Sequence, residues 1–161
     1  MEPRQLRVNL LAIEDPAGRN GGGPAEWDIM RELLDRPPFL LGPTETCPPQ
    51  QALIRARLRI WSEPASSSAD VILTTGGTGL LPRDRMPEAT AEVIERSLPG
   101  IPDLIRLACL RADPAAALER FEAGVRQRTL IINLPADGEL LKRCLPHVVR
   151  ILPGAVSGLN P

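Results

Sequence analysis

Three short apolar runs, Arg7–Ile13, Asp70–Thr75 and Thr129–Leu134, recur along this chain with helix-patterned segments between them. Runs of that length bounded by turn-forming residues read as strands, and the contiguous Val71, Ile72 and Leu73 suit a strand covered on both faces. Between them, Ala25–Leu34 carries Trp27, Met30 and Leu34 at the i, i+3, i+7 spacing of an amphipathic helix. A second helix follows Pro48-Pro49, with Leu53, Ala56 and Ile60 on one side and Ile54, Leu58 and Trp61 beside it. Pro87 opens a third helix at a position where its missing N–H costs nothing. Ile101, Leu104, Ile105 and Ala108 mark a fourth, and Glu139–Leu145 reads as a last, short one. Phe39–Leu41 reads as a further short strand. Strands alternating with helices imply an α/β domain, its sheet parallel or mostly parallel, with helices on both faces. The expectation is one domain spanning 1–161, because domains of about 100–200 residues leave little room for a second.

Composition narrows the function. The formal net charge is -1, which argues against a general basic surface for nucleic acid. Trp27, Phe39, Trp61 and Phe121 are the only aromatics, too few for base-stacking platforms. No apolar run approaches the length that spans a membrane. Val8–Ile13, interrupted by Asn9, reads as a strand and not as a signal segment. Prolines number 18 in 161 residues, about twice the usual share, but sit mostly where helices and turns begin or end. Cys47, Cys109 and Cys144 include no CxxC pair, and His147 is the single histidine, so zinc-ligand spacing is absent. Reduced thiols in a cytoplasmic protein follow, with Cys109 and Cys144 acting as small core residues. His147, after Pro146, reads as a partly buried structural histidine.

The chemistry concentrates after the central strand. Val71–Thr90 reads V-I-L-T-T-G-G-T-G-L-L-P-R-D-R-M-P-E-A-T. Ligands of open α/β sheets bind at the carboxyl ends of strands, where Thr74-Thr75-Gly76-Gly77-Thr78-Gly79 falls. Glycines there allow sharp turns and close approach, so that successive N–H groups and threonine hydroxyls can donate to anionic oxygens. Asp84 follows closely enough to return to the site and hold a divalent cation, and Glu88 is a second candidate carboxylate. With Lys142 the only lysine, there is no GxxxxGK[ST], and the spacing of GxGxxG is also absent.

T-T-G-G-T-G followed by R-D-x-x-P-E-A-T strongly resembles the molybdopterin adenylyltransferase family of molybdenum cofactor biosynthesis, the Mog/MoaB-like proteins. Three further segments align in order: the first strand with its Gly-rich loop, L-P-G-I-P-D-L-I-R, and T-L-I-I-N-L-P. Together they cover roughly Arg7 to Val149. The resemblance implies a three-layer α/β/α molybdopterin-binding fold that forms a homo-trimer, with molybdopterin as substrate, Mg²⁺ and ATP as cofactors, and a molybdenum-insertion protein as a possible partner. It implies that Thr75, Gly76, Gly77, Thr78 and Gly79 cradle phosphate and pterin, with Arg83 at the rim. Asp84 would serve as metal ligand and catalytic carboxylate, and Glu45 would stand where the family places a catalytic aspartate.

The chain departs from the family pattern at several positions. Thr44-Glu45-Thr46-Cys47-Pro48-Pro49 replaces the Pro-Asp-Asp/Glu element, and Asn20-Gly21-Gly22 replaces an aspartate followed by Ser-Gly. Glu119, in Leu118-Glu119-Arg120, stands where a serine is usual, and reads as a residue on a solvated helix face. Ala136-Asp137 interrupts the late Asn-Leu-Pro-Gly turn, and Met86 removes a helix N-cap. Two readings therefore stand: an adenylyltransferase, or a binding protein of the same fold acting as carrier, scaffold or regulatory subunit. A third use of the fold, as in competence/damage-inducible proteins, fits less well because their motif continues Gly-Leu-Gly-Pro-Thr.

Overall fold

A computed structural model describes residues 4–14, 24–65 and 68–161. Asn20-Gly21-Gly22 therefore lies outside the described residues. The chain runs β1 (Leu6–Ile13), α1 (Pro24–Leu34), β2 (Phe39–Cys47), α2 (Gln51–Ser62), β3 (Val71–Thr75), α3 (Met86–Val93), β4 (Arg96–Ser97), α4 (Gly100–Leu110), β5 (Ala123–Arg126), β6 (Thr129–Leu134) and α5 (Gly138–Leu159). A 3-10 turn, Pro114–Leu118, lies between α4 and β5. The six strands form one sheet in the order β2-β1-β3-β6-β5-β4. The pairs β2-β1, β1-β3 and β3-β6 are parallel. The β6-β5 and β5-β4 pairs are antiparallel.

Alternation along each strand divides the apolar side chains between two layers of helix. Leu6, Val8 and Leu10 of β1, Val71 and Leu73 of β3, and Leu130, Ile132 and Leu134 of β6 share one buried cluster with Met30 and Leu34 of α1, Ile105 and Cys109 of α4, and the inward face of α5. The opposite parity, Leu11, Ile13, Ile72 and Ile131, packs on Ile54, Leu58 and Trp61 of α2 and on Met86, Ala89 and Val93 of α3. The result is the expected three-layer α/β/α arrangement, with the central strands apolar on both faces. Of the two sides expected of α2, only that of Ile54, Leu58 and Trp61 is buried, while Leu53 and Ile60 are exposed.

Four elements differ from the sequence reading. β2 runs to Cys47, well beyond Leu41, and its register on β1 shifts between Val8 and Leu10. There Gly42 makes room for the buried Asn9: a Cβ on residue 42 would lie 2.2 Å from Asn9 Oδ1. The last helix does not end at Leu145 but continues through Pro146 and Pro153 for 22 residues. Pro146 is exposed, whereas Val148, Leu152 and Val156 continue the buried stripe set by Leu141, Cys144 and Leu145. Burial of those residues outweighs the backbone hydrogen bonds that two prolines remove. β4 and β5 are short strands with no apolar run to announce them; Gly124 admits them because a Cβ there would sit 2.5 Å from Arg96 O.

All three cysteines are free and buried. Cys109 of α4 and Cys144 of α5 meet in the core, where their Sγ–H groups donate to Leu140 O and Leu141 O at 3.7 Å each. Hydrogen bonding to Cys109, added to burial, pushes the Cys144 thiol up, and the same contact draws the Cys109 thiol down. Burial raises Cys47 as well, opposed by the nearby Arg57. His147 is exposed on the outer face of α5, contrary to the expectation of partial burial. It stands one position from the buried stripe, so its helical phase turns it to solvent.

Candidate active site

β1 and β3 are neighbours, yet the chain leaves β1 towards β2 on one side and returns to β3 on the other. A crevice opens where strand order diverges in this way, beyond the carboxyl ends of the strands. The loop after β3 fills that position. Thr75, the last residue of β3, is buried, and its Oγ1 has no hydrogen-bond partner among the described residues. Gly76 and Gly77 follow with φ of 87° and 70°, a left-handed conformation costing any other L-residue about 1–2 kcal/mol. Gly77 is constrained twice, since a Cβ there would also lie 3.1 Å from Met86 Cβ.

Met86 explains one departure from the family pattern. It is fully buried in the smaller cluster, and its N–H donates to Gly77 O at 3.0 Å. Helix α3 begins there with Pro87 in its first turn and no side-chain cap at Arg85. The hydrophobic side chain anchors the helix start from below in place of a capping hydroxyl.

Beyond the glycines, the loop is gripped by a segment some forty residues later. Arg120 N–H donates to Thr78 O at 2.8 Å. Its guanidinium donates through Nε to Gly79 O at 2.9 Å, through Nη2 to Asp84 O at 2.6 Å and through Nη1 to Glu88 Oε1 at 2.5 Å. Next to it, Glu119 Oε2 accepts the Thr78 hydroxyl at 2.5 Å. Glu119 is thus not on a solvated helix face: it follows the 3-10 turn and is drawn inward by the buried Thr78. Glu88 gives Oε1 to Arg120 and so helps hold the loop, while its Oε2 is buried without a hydrogen-bond partner among the described residues.

A cavity of about 170 Å³ lies on the loop, lined by Gly76, Gly77, Thr78, Gly79, Asp84, Asp113, Glu119, Ala136, Asp137 and Leu140. Its three aspartates each serve the local backbone. Asp113 Oδ1 accepts Ala115 N–H at 2.9 Å. Asp137 caps α5 by accepting from Glu139 and Leu140 N–H at 2.9 and 3.0 Å. Asp84 Oδ2 accepts Leu81 N–H at 2.8 Å. Ala136 in place of glycine carries no strain, since Gln127 is the only described non-glycine residue with positive φ.

Asp84 also lines a narrower gap of about 30 Å³ with Ile13, Glu14, Pro49, Gly77, Leu81 and Arg83. Gly76–Gly79, Arg83 and Asp84 are thus distributed over two cavities that share Gly77 and Asp84. Glu45 stands apart from both cavities. It pairs with Leu11 in the β1-β2 ladder, and its carboxylate meets Arg57 Nε of α2 at 3.2 Å. The carboxylate that shares a gap with Asp84 is Glu14, at the end of β1, which also accepts the Thr46 hydroxyl at 3.2 Å. Sequence reasoning missed Glu14 and Arg120. The only signal for Arg120 was its place beside the family's serine position; Glu14 carried none beyond ending a strand.

No cluster of three or more His, Cys, Asp or Glu able to hold a metal exists among the described residues. Magnesium, however, is usually held by one or two carboxylates together with substrate phosphates and water, not by a protein cage. Asp84 with Glu14 fits that lesser requirement.

The family described as "Probable molybdopterin binding domain" matches residues 23–154. The chain belongs to this family. A Helicobacter pylori protein (strain ATCC 700392 / 26695) named molybdopterin adenylyltransferase is 44% identical over 157 residues, covering 94% of this chain and 86% of that protein. The Escherichia coli K12 protein of the same name is 35% identical over 147 residues, covering 89% and 73%. Among solved structures, the molybdopterin biosynthesis enzyme MoaB of Thermus thermophilus superposes with a TM-score of 0.84 at 41% identity, covering 96% of each chain. Membership in the molybdopterin binding domain family agrees with the fold and with the glycine loop. Among the described residues no helix is long and apolar enough to cross a membrane.

Proposed function

We propose that this chain acts in molybdenum cofactor biosynthesis, binding molybdopterin on the Gly76–Gly79 loop and transferring AMP to it from Mg-ATP. The observation that carries this reading is the glycine loop with Asp84 turned back upon it, in a chain 44% identical to a protein named molybdopterin adenylyltransferase. In the reaction, an oxygen of the terminal phosphate of molybdopterin attacks the α-phosphorus of ATP. A new P–O bond forms as the bond to pyrophosphate breaks, and pyrophosphate leaves with the electron pair.

The left-handed turn lets the backbone approach anionic oxygens closely, and N–H groups of the loop supply fixed donors for charge that develops at phosphorus. Asp84 and Glu14 are the residues that would hold Mg²⁺, which when bound supplies charge neutralisation. Arg83, in the same gap, adds positive charge at the rim. Thr78 lends its hydroxyl only when Glu119 releases it. A homo-trimer working in the cytoplasm, with a molybdenum-insertion protein as partner, belongs to the same reading.

Specific observations favour a second reading, a molybdopterin carrier, scaffold or regulatory subunit without transfer. Glu119 occupies the Thr78 hydroxyl, and Glu45 is committed to Arg57. Incubation with molybdopterin and Mg-ATP separates the two. The enzyme yields adenylylated pterin and pyrophosphate, with turnover falling at least a hundredfold in Asp84→Asn, by analogy with losing one electrostatic group from an active site. Pterin retention with no pyrophosphate released selects the carrier.

A further inference from the structure

We propose that Arg120 is the positioning residue that turns the peptide groups of the glycine loop so that their N–H donors face the ligand. The inference rests on the loop being the ligand site, as read above. Arg120 reaches the loop from the segment after the 3-10 turn and is not among the residues lining the cavity over the loop. From there it collects three carbonyl oxygens: Thr78 O on its backbone N–H, and Gly79 O and Asp84 O on its guanidinium.

The peptide bonds of this loop are trans. A trans peptide holds its C=O and the following N–H in opposite directions. Drawing the carbonyls of Thr78 and Gly79 back to Arg120 therefore turns the N–H groups of Gly79 and Leu80 the other way. A glycine-rich turn left to itself samples many such orientations, because glycine restricts neither sign of φ. One planar cation bonded at 2.5–2.9 Å to Gly79, Asp84 and Glu88 removes that freedom from both ends of the loop together. The guanidinium suits the task because its donors form a rigid fork aimed at separate acceptors, where an ammonium group offers a single point. Glu88 completes the arrangement by fixing the third arm of the fork to α3.

Arg120→Ala and Arg120→Lys test this, with Lys142→Ala on the exposed face of α5 as control. Hydrogen exchange read by mass spectrometry follows residues 76–85, and equilibrium dialysis measures retention of molybdopterin. The expected result for Arg120→Ala is exchange at least tenfold faster across 76–85, unchanged exchange in β1 and α5, and molybdopterin affinity at least tenfold lower. Arg120→Lys, with one donor centre in place of three, falls between wild type and alanine in both readouts. Loop exchange at the wild-type rate in Arg120→Ala overturns the proposal, and so does faster exchange with unaltered affinity. If Arg120→Ala does not fold, Arg120→Lys is read alone: loop exchange about threefold faster supports the role, and no change removes it. A wild-type protein that retains no molybdopterin sinks the functional reading, while the exchange measurement still decides whether Arg120 sets the loop.

Discussion

The two ends of β3 make an instructive pair. At the amino end, Asp70 is nearly buried, and both its carboxylate oxygens have donors: Arg4 Nη2 at 2.6 Å and Arg7 N–H at 2.8 Å. Asp70 N–H and C=O are used as well, on Arg7 O and Leu130 N–H. At the carboxyl end, five residues on, Thr75 Oγ1 is buried without a partner and two glycines hold left-handed φ. One end satisfies its polar groups within itself. The other leaves a donor unspent and keeps a conformation that only glycine adopts cheaply, and it is there that the proposed ligand site lies.

Gly77→Ala should break the contrast most severely. It places a Cβ at φ +70 and 3.1 Å from Met86 Cβ. Stability should fall by about 1–2 kcal/mol in denaturant titration, the cost of a non-glycine residue in that region. Molybdopterin retention should fall tenfold or more in equilibrium dialysis, because the donors of the loop move with the backbone. Asp70→Ala tests the other end. Losing charge-assisted bonds to Arg4 and Arg7 should cost about 1.5–3 kcal/mol, with molybdopterin retention at the wild-type level. A large loss of retention in Asp70→Ala would erase the division between a structural end and a working end.

The smallest effect calibrates both. Glu92 on α3 accepts from Arg55 Nη1 at 2.7 Å and Gln51 Nε2 at 2.5 Å, and the bond from Arg55 holds its carboxyl below the ordinary value of 4.5. A lowered folded-state pKa gives stability that is present above the unfolded value and lost as pH falls through the folded one. Glu92→Gln should therefore lower Tm slightly at pH 7, and the difference from wild type should shrink below pH 4.5. An unchanged difference in acid would mean that the side chain acts through packing and not through its charge.

What could be read from the sequence follows the range of the forces involved. β1, β3 and β6 were legible because an apolar run with turn residues on both sides carries its own burial signal, and Gly76-Gly77 was legible because glycines after such a strand are locally demanded. α5 was cut short at Pro146 by a local rule, since the burial of Leu152 and Val156 that carries the helix onward belongs to the sheet and α4. β5 was invisible because Gly124 matters through Ile94 and Arg96, far back in the chain. Arg120 escaped for the same reason, with every acceptor 32 to 42 residues earlier: its backbone N–H meets Thr78, and its side chain meets Gly79, Asp84 and Glu88. Glu119, read as solvated, was misplaced because its partner Thr78 is equally remote.

The close fit of Asn9 against Gly42 reaches beyond this one molecule. A side chain at position 42 would displace Asn9, because its Cβ would fall 2.2 Å from Asn9 Oδ1. Asn9 must turn aside or be replaced by a smaller residue for position 42 to grow, so the two sites are coupled. Homologous chains bearing a larger residue opposite the middle of β1 are expected to carry a smaller one in it, and a double substitution should be tolerated where the single change at Gly42 is not.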